Sequence, residues 1–375
     1  MKTTHRVRRF AGHRPLLASG FLAALSAVPA GAPGPLAAQE LTFEEYEPRS
    51  TLVVPANPVT RARLPFIDVH SHHRRLTPES VDAVVAAMDR LNMAALVNLS
   101  GGSGAELAER VRLTAGRHPG RFVTFANLDF DGIDRPEWGE RAARQLEEDV
   151  RAHGAAGLKI FKNLGLTLED AAGRRVPTND PRLDPVWARA GQLGIPVLIH
   201  TGEPAEFFEP HDRFNERWLE LKQFPGRARP ADEYPSWDVV MAEQHDVFRR
   251  HRGTTFINAH LGWMGNDLGG LGRLLDEHPN VVTEVAAVIA ELGRQPRHAR
   301  DFLIRYQDRV LFGKDTFAEE EYHTYFRLFE TADEYFPYFR KRHAFWRLYG
   351  LDLPDDVLRK LYSENARRVI PALRR

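Results

Sequence analysis

FIDVHSH, residues 66–72, is an apolar, β-branched run that closes on two histidines. In a strand successive side chains alternate between faces, so His70 and His72 are expected to project together while Ser71 and His73 point away. By the same period Asp68 lies one layer deeper on that face, where it would orient a ligand histidine through a hydrogen bond. In a chain with 16 His such a pair means little alone. The pattern recurs, however: Ile195–His200, Thr255–His260 and Val310–Asp315 are further apolar runs that end on an imidazole or a carboxylate. An ordered series of this kind is how a parallel β/α barrel collects metal ligands from strand tips at one mouth.

Working outward, short apolar runs alternate with helical stretches. Strands are predicted at Leu64–His70, Ala94–Leu99, Phe122–Leu128, Ala156–Phe161, Ile195–His200, Thr255–His260, Val281–Val285 and Arg309–Gly313. Between them the patterns Thr77–Leu91, Ala105–Arg117, Pro136–His153, Pro185–Leu193, Trp237–Arg250, Leu268–Glu277 and Arg297–Tyr306 read as helices, and Glu319–Thr331 closes the series. That count and order predict an α/β fold of the (β/α)8 TIM-barrel type rather than an open doubly wound sheet. Glu203–Ser236 is an insertion after strand five, rich in Phe, Trp and Tyr, and reads as a cover over the pocket. Within it His211, Arg213 and Arg217 read as a solvated charged face in preference to a clamp on a substrate carboxylate. Tyr335–Arg375 is expected to add further helices. Gly101–Gly104 lacks phosphate-loop spacing and reads as a tight loop.

The bulk composition bounds the function. At 375 residues and 43% hydrophobic, the chain can bury one large core. Its 51 basic and 51 acidic residues cancel, so no long-range field favours nucleic acid. A small-molecule substrate is the expected partner, with homo-oligomerisation left open. The absence of Cys removes disulfides, thiolate ligands and a Cys nucleophile. At the start, Lys2, Arg6, Arg8 and Arg9 precede an apolar stretch, Leu16–Val28, too short for a ~30 Å bilayer. Residues 1–38 therefore read as a cleaved signal peptide, by Sec or Tat, giving a periplasmic or secreted protein without stable membrane insertion. Residues 39–63 read as a linker or N-terminal arm, and 64–375 as the barrel domain.

Together FIDVHSH (66–72), GLKIF (157–161), PVLIHTGEP (196–204), FINAHLGW (256–263), VLFGKDTF (310–317) and ENARRVI (364–370) resemble the amidohydrolase superfamily. The likeness is to its amidohydrolase-related, metal-dependent barrels, and runs from Phe66 to Ile370. It implies that His70, His72 and His200 are metal ligands, that Asp315 binds metal and moves protons, and that His260 assists catalysis or joins a second metal site. Lys314 stands where the family commonly has a small residue. Lys159 is expected to point into the barrel. In binuclear relatives a carboxylated Lys on this strand bridges two metals, whereas in mononuclear ones it is no ligand; the motifs lie closer to the latter.

Three imidazoles and a carboxylate suit a divalent metal, Zn²⁺ first, with Mn²⁺, Fe²⁺ and Co²⁺ also fitting. The implied activity is a metal-dependent hydrolase acting on a small organic substrate through metal-activated water. Asp315 would take the water proton, and His260 would polarise the carbonyl. A metal-dependent lyase, a decarboxylase or hydratase of the same superfamily, is the alternative. A non-catalytic binding protein is a third reading, against which the intact ligand set argues.

Overall fold

The computed structural model describes residues 40–343 and 345–374. The signal peptide expected at 1–38 lies outside them. The chain divides into two units, 1–46 and 47–375. In the first, residues 40–46 form an exposed turn closed from Tyr46 N to Thr42 O. Among the described residues no helix is long and apolar enough to cross a membrane.

The second unit carries the parallel strands β1 (Phe66–Ser71), β2 (Met93–Asn98), β3 (Phe122–Thr124), β4 (Ala126–Asn127), β5 (Leu158–Ile160), β6 (Val197–Ile199), β7 (Phe256–Asn258), β8 (Val281–Glu284) and β9 (Val310–Leu311). They form one sheet of β1-β2-β3 and a second of β4 through β9 in sequence order. Two joins relate the sheets. β3 and β4 are a single crossing, expected as one strand at Phe122–Leu128 but interrupted at Phe125. There the Phe125 ring fills the space beside Gly157, where a Cβ would lie 2.5 Å from the ring. At the other join Ser71 bridges Asp315 in parallel, and Asp315 N donates to His70 O at 2.7 Å. The ladder is discontinuous at both joins, yet the strand order is that of a (β/α)8 barrel.

Side-chain alternation divides the core. Ile67, Val69, Leu198, Ile257, Val282 and Leu311 pack inside, where Ala366, Val369, Ile370 and Leu373 join them. Phe66, Leu158, Ile160, Val197, Val281 and Phe312 pack outward against the helices. Local sequence sets the helix ends. Thr77 and Ser80 form a reciprocal capping box before Pro78–Leu91, Pro78 occupies the first position, and Asn92 closes the helix in the left-handed region.

Two local features were not anticipated. A short helix, Ile289–Arg294, follows β8. In the C-terminal segment an antiparallel pair, Phe336–Pro337 with Arg347–Leu348, precedes the expected helices at Asp355–Arg359 and Asn365–Val369.

Candidate metal centre and cavity

His70 reaches the barrel mouth through a break in alternation. Ile67 and Val69 face inward, so a regular strand would turn His70 toward the helices. The β1–β2 register instead shifts between Asp68 and Ser71, and the irregularity aims His70 inward. Asp68 holds that irregularity rather than a ligand ring, which corrects its expected role. Its carboxylate accepts from the backbone nitrogens of His70 (2.9 Å) and Lys314 (3.2 Å) and from the Tyr322 hydroxyl (2.5 Å). Burial pushes the Asp68 carboxyl up to about 7.

His70 Nδ1 lies 2.9 Å from Glu284 Oε1, and both side chains are fully buried. Because a carboxylate accepts, Nδ1 carries the proton and the lone pair on Nε2 faces the mouth. His72 Nδ1 lies 2.9 Å from Ser100 Oγ, and its Nε2 is 3.3 Å from that of His70. Asp315 Oδ1 completes the group, 3.5 Å from His72 Nε2 and 3.7 Å from His70 Nε2.

Beside this group lie His260 and His200. The His260 ring is 4.7 Å from that of His70, centroid to centroid. Its backbone nitrogen donates to Glu284 Oε1 at 2.7 Å, and its Nδ1 donates to Ala286 O at 2.8 Å. His200 Nδ1 is 3.3 Å from His260 Nε2, while His200 Nε2 is buried without a partner. His260, Leu261, Gly262 and Trp263 all adopt positive φ. Glycine is required at 262, where a Cβ would lie 2.4 Å from Asn258 Nδ2. This turn stacks Trp263 on His260 at 4.6 Å. Lys159 points inward from β5, with Nζ buried and unpartnered.

The protonation states suit ligation. Burial, with Lys159 nearby, holds His70 well below the usual histidine range and His72 at about 4; burial and His260 do the same for His200. These imidazoles are therefore neutral at pH 7. For Asp315 burial acts upward, whereas coupling to His70, His260, His72 and Lys159, effective whenever one of them carries a proton, acts downward more strongly, so its carboxyl lies well below the carboxylate range. Lys159 is pushed down to about 7 by burial.

This donor set fits a divalent cation. The His70 Nε2 lone pair, His72 Nε2 and an ionised Asp315 oxygen converge within 3.3–3.7 Å of one another, an arrangement that a positive charge between them would draw together. Neighbouring ligands of a tetrahedral ion with ~2.0–2.1 Å bonds lie roughly 3.3 Å apart, close to the separations found here. Among the described residues two triads bring their donor atoms within 4.8 Å: His70, His72 and Asp315, and His70, His260 and Glu284. His200 belongs to neither, and joins them through its hydrogen bond to His260.

A cavity of about 320 Å³ opens above His200, His260 and Asp315. The insertion supplies Glu203, Pro204, Phe207, Arg217, Glu220 and Arg227 to its wall, and the C-terminal segment adds Arg340, Arg342 and His343. Arg217, expected in a solvated face, is instead buried and paired with Glu220 at 3.0 Å and with Glu291, whereas His211 and Arg213 are exposed. Trp263 also lines the cavity. Lys314 turns away from the mouth, donating to Thr316 O and Glu321 at 2.5 Å each.

The sequence model of the amidohydrolase family matches residues 57–372. The chain belongs to the amidohydrolase family. Solved structures of this barrel type agree in fold. One is an uncharacterised TIM-barrel protein from Bordetella bronchiseptica, with TM-score 0.51 and 16% identity, covering 83% of this chain and 100% of that one. Another is 2,6-dihydroxybenzoate decarboxylase from Rhizobium, with TM-score 0.50 and 14% identity over 82% and 99% of the two chains. A third is a dihydroxybenzoic acid decarboxylase from Polaromonas sp. JS666 with bound manganese and an inhibitor, 2-nitroresorcinol. Its TM-score is 0.50 at 14% identity, covering 83% and 98%. A comparison with curated proteins finds no match.

The residues that sequence reasoning missed are Glu284, Ser100 and the cationic side chains of the C-terminal segment. For Glu284 a signal was present, since Val281-Val282-Thr283-Glu284 is another apolar, β-branched run closed by an ionisable residue.

Proposed function

We propose that this amidohydrolase-family chain is a metal-dependent hydrolase acting on a small organic substrate in the cavity above His260 and Asp315. The observation that carries the reading is the convergence of His70 Nε2, His72 Nε2 and Asp315 Oδ1 beside that cavity. We assign His70, His72, His200 and Asp315 as the residues that hold the cation, with Zn²⁺ as the first candidate. Such an ion supplies a Lewis acid that acidifies water and polarises a carbonyl.

The protein's own groups then have defined tasks. Glu284 fixes the His70 tautomer and ring plane. Asp315, ionised and one-third exposed, accepts the proton that water loses on adding to a carbonyl-type carbon. It returns that proton to the leaving atom as the bond to carbon breaks. His260 has its Nδ1 proton committed to Ala286 O, so it can donate to a developing oxyanion only after a second proton reaches Nε2. Trp263 and the insertion shield the site from bulk water.

A second reading is decarboxylation, supported by the excess of cations around the cavity and by decarboxylases of similar fold. There Asp315 would first take up a proton from solvent and pass it to the carbon bearing the carboxylate, and the C–C bond electrons left when CO₂ departs would restore the neutral product. A screen of amides, lactones and aromatic carboxylates, with and without chelator, tests both. Chelator-sensitive hydrolysis supports the first reading, CO₂ release replaces it with the second, and absence of both overturns these two readings. The export signal at 1–38 is a separate proposal, tested by cell fractionation.

A further inference from the structure

Five cations line the cavity: Lys162, Arg217, Arg227, Arg340 and Arg342. Four have carboxylates. Lys162 Nζ lies 2.5 Å from Glu203 Oε1, and Arg217 reaches Glu220 and Glu291. Arg227 pairs with Glu220, and Arg342 Nε lies 3.4 Å from the same carboxylate. Arg340 differs. Among the described residues its guanidinium has no carboxylate within ion-pair distance; its Nε, like those of Arg217 and Arg342, is buried without a hydrogen-bond partner. It rests on the Phe339 ring, 5.6 Å from the centroid.

The wider charge pattern shows the same deficit. Arg229 shares Glu203 at 3.0 Å, and Glu206 lies 3.6 Å from Arg217. Six cations therefore face four carboxylates, Glu203, Glu206, Glu220 and Glu291, and Glu220 alone serves three guanidinium groups. Asp315 is turned to the histidine pair. Desolvating an unmatched guanidinium costs free energy that an incoming anion recovers. The Nε and Nη edge of Arg offers two parallel donors that match the two oxygens of a carboxylate.

We propose that Arg340 binds a carboxylate of the substrate, with Arg342 beside it, so that this site takes small organic acids. The inference rests on the reading of the cavity as a substrate site. Arg340 is a binding residue, set in the wall that also holds Asp315, where it positions the reacting end of the molecule.

The test is equilibrium binding to the full-length protein as purified, followed by calorimetry, with benzoate as probe, benzamide as its neutral counterpart and inorganic phosphate as a competing anion. Wild type is expected to prefer benzoate over benzamide by roughly ten-fold or more, the scale of a charge-assisted pair. Arg340→Met should remove that preference while leaving benzamide binding within about two-fold, and Arg342→Met should have a smaller effect. Because the cation is unmatched, Arg340→Met should melt no lower than wild type, and benzoate should raise the melting temperature of wild type only. Should Arg340→Met fold poorly, Arg340→Gln gives the same comparison. Unchanged benzoate affinity in these variants, no benzoate binding by wild type, or displacement of benzoate by phosphate at lower concentration overturns the proposal. Loss of benzoate binding in Arg340→Met without turnover of any screened substrate leaves the anchor standing and overturns only the hydrolase and decarboxylase readings.

Discussion

One oxygen of Glu284, Oε1, orients two imidazoles: it lies 2.9 Å from His70 Nδ1 and 2.7 Å from the backbone nitrogen of His260. The first contact fixes a tautomer, and the second fixes the turn that carries the other ring. Glu284→Gln keeps the volume but replaces a pure acceptor with a neutral amide. The expected outcome is a metal affinity lower by roughly 10- to 100-fold, measured by competition with a chromogenic chelator. Wild-type affinity in this variant would show that Glu284 has no part in aiming His70.

Asp315→Asn removes the proton acceptor and leaves the backbone bond to His70 O in place. Turnover should fall by about 10²- to 10⁴-fold with the circular dichroism spectrum unchanged. An active variant would refute the proton-transfer role.

These two residues also show what the sequence made legible. Asp315, His200 and His260 end apolar runs, and both the run and its terminal residue are local, so the strand tips could be read directly. Glu284 carried the same signal and escaped a rule that stopped at His and Asp. The inward turn of His70 was right in outcome but not in cause, because a shift in strand register, a pairing property, replaces simple alternation. Arg340 was illegible for a deeper reason: its significance is the lack of a partner, which exists only in three dimensions. The Phe336–Pro337 and Arg347–Leu348 pair was missed because two-residue strands have no period to detect.

Lys159→Met separates one metal from two. The amine is buried and unpartnered, so replacing it with an apolar side chain should leave the melting temperature unchanged or higher. Elemental analysis should still give about one metal per chain, as for a site of four protein ligands. A fall from two metals to one or none would assign Lys159 to a binuclear centre.

Acid should destabilise the fold over a defined window. Burial holds His72, His73 and His245 at about 4 in the folded protein, against an ordinary value of about 6.5 when unfolded. Between those values the unfolded chain binds protons that the native state refuses, so stability is full above pH ~6.5 and falls as pH drops toward 4. Asp68, raised to about 7, and Glu284 and Glu330, also raised by burial, act in the opposite sense, but the histidines held down by burial, which include His70, His200, His278 and His343, outnumber them. Urea midpoints measured from pH 7.5 to 4.5 should decline steadily, and a flat profile would contradict the burial of these rings.

The left-handed run from His260 to Trp263 has a consequence for anyone who engineers this barrel. Each non-glycine residue held there costs about 1–2 kcal/mol, and the neighbouring Asp315 also sits at positive φ. Selection for heat resistance would find easy gains by relaxing this corner, for instance with glycine at Leu261. Those same gains would release the imidazole that the corner exists to aim, so robustness and turnover are set against each other at one short bend.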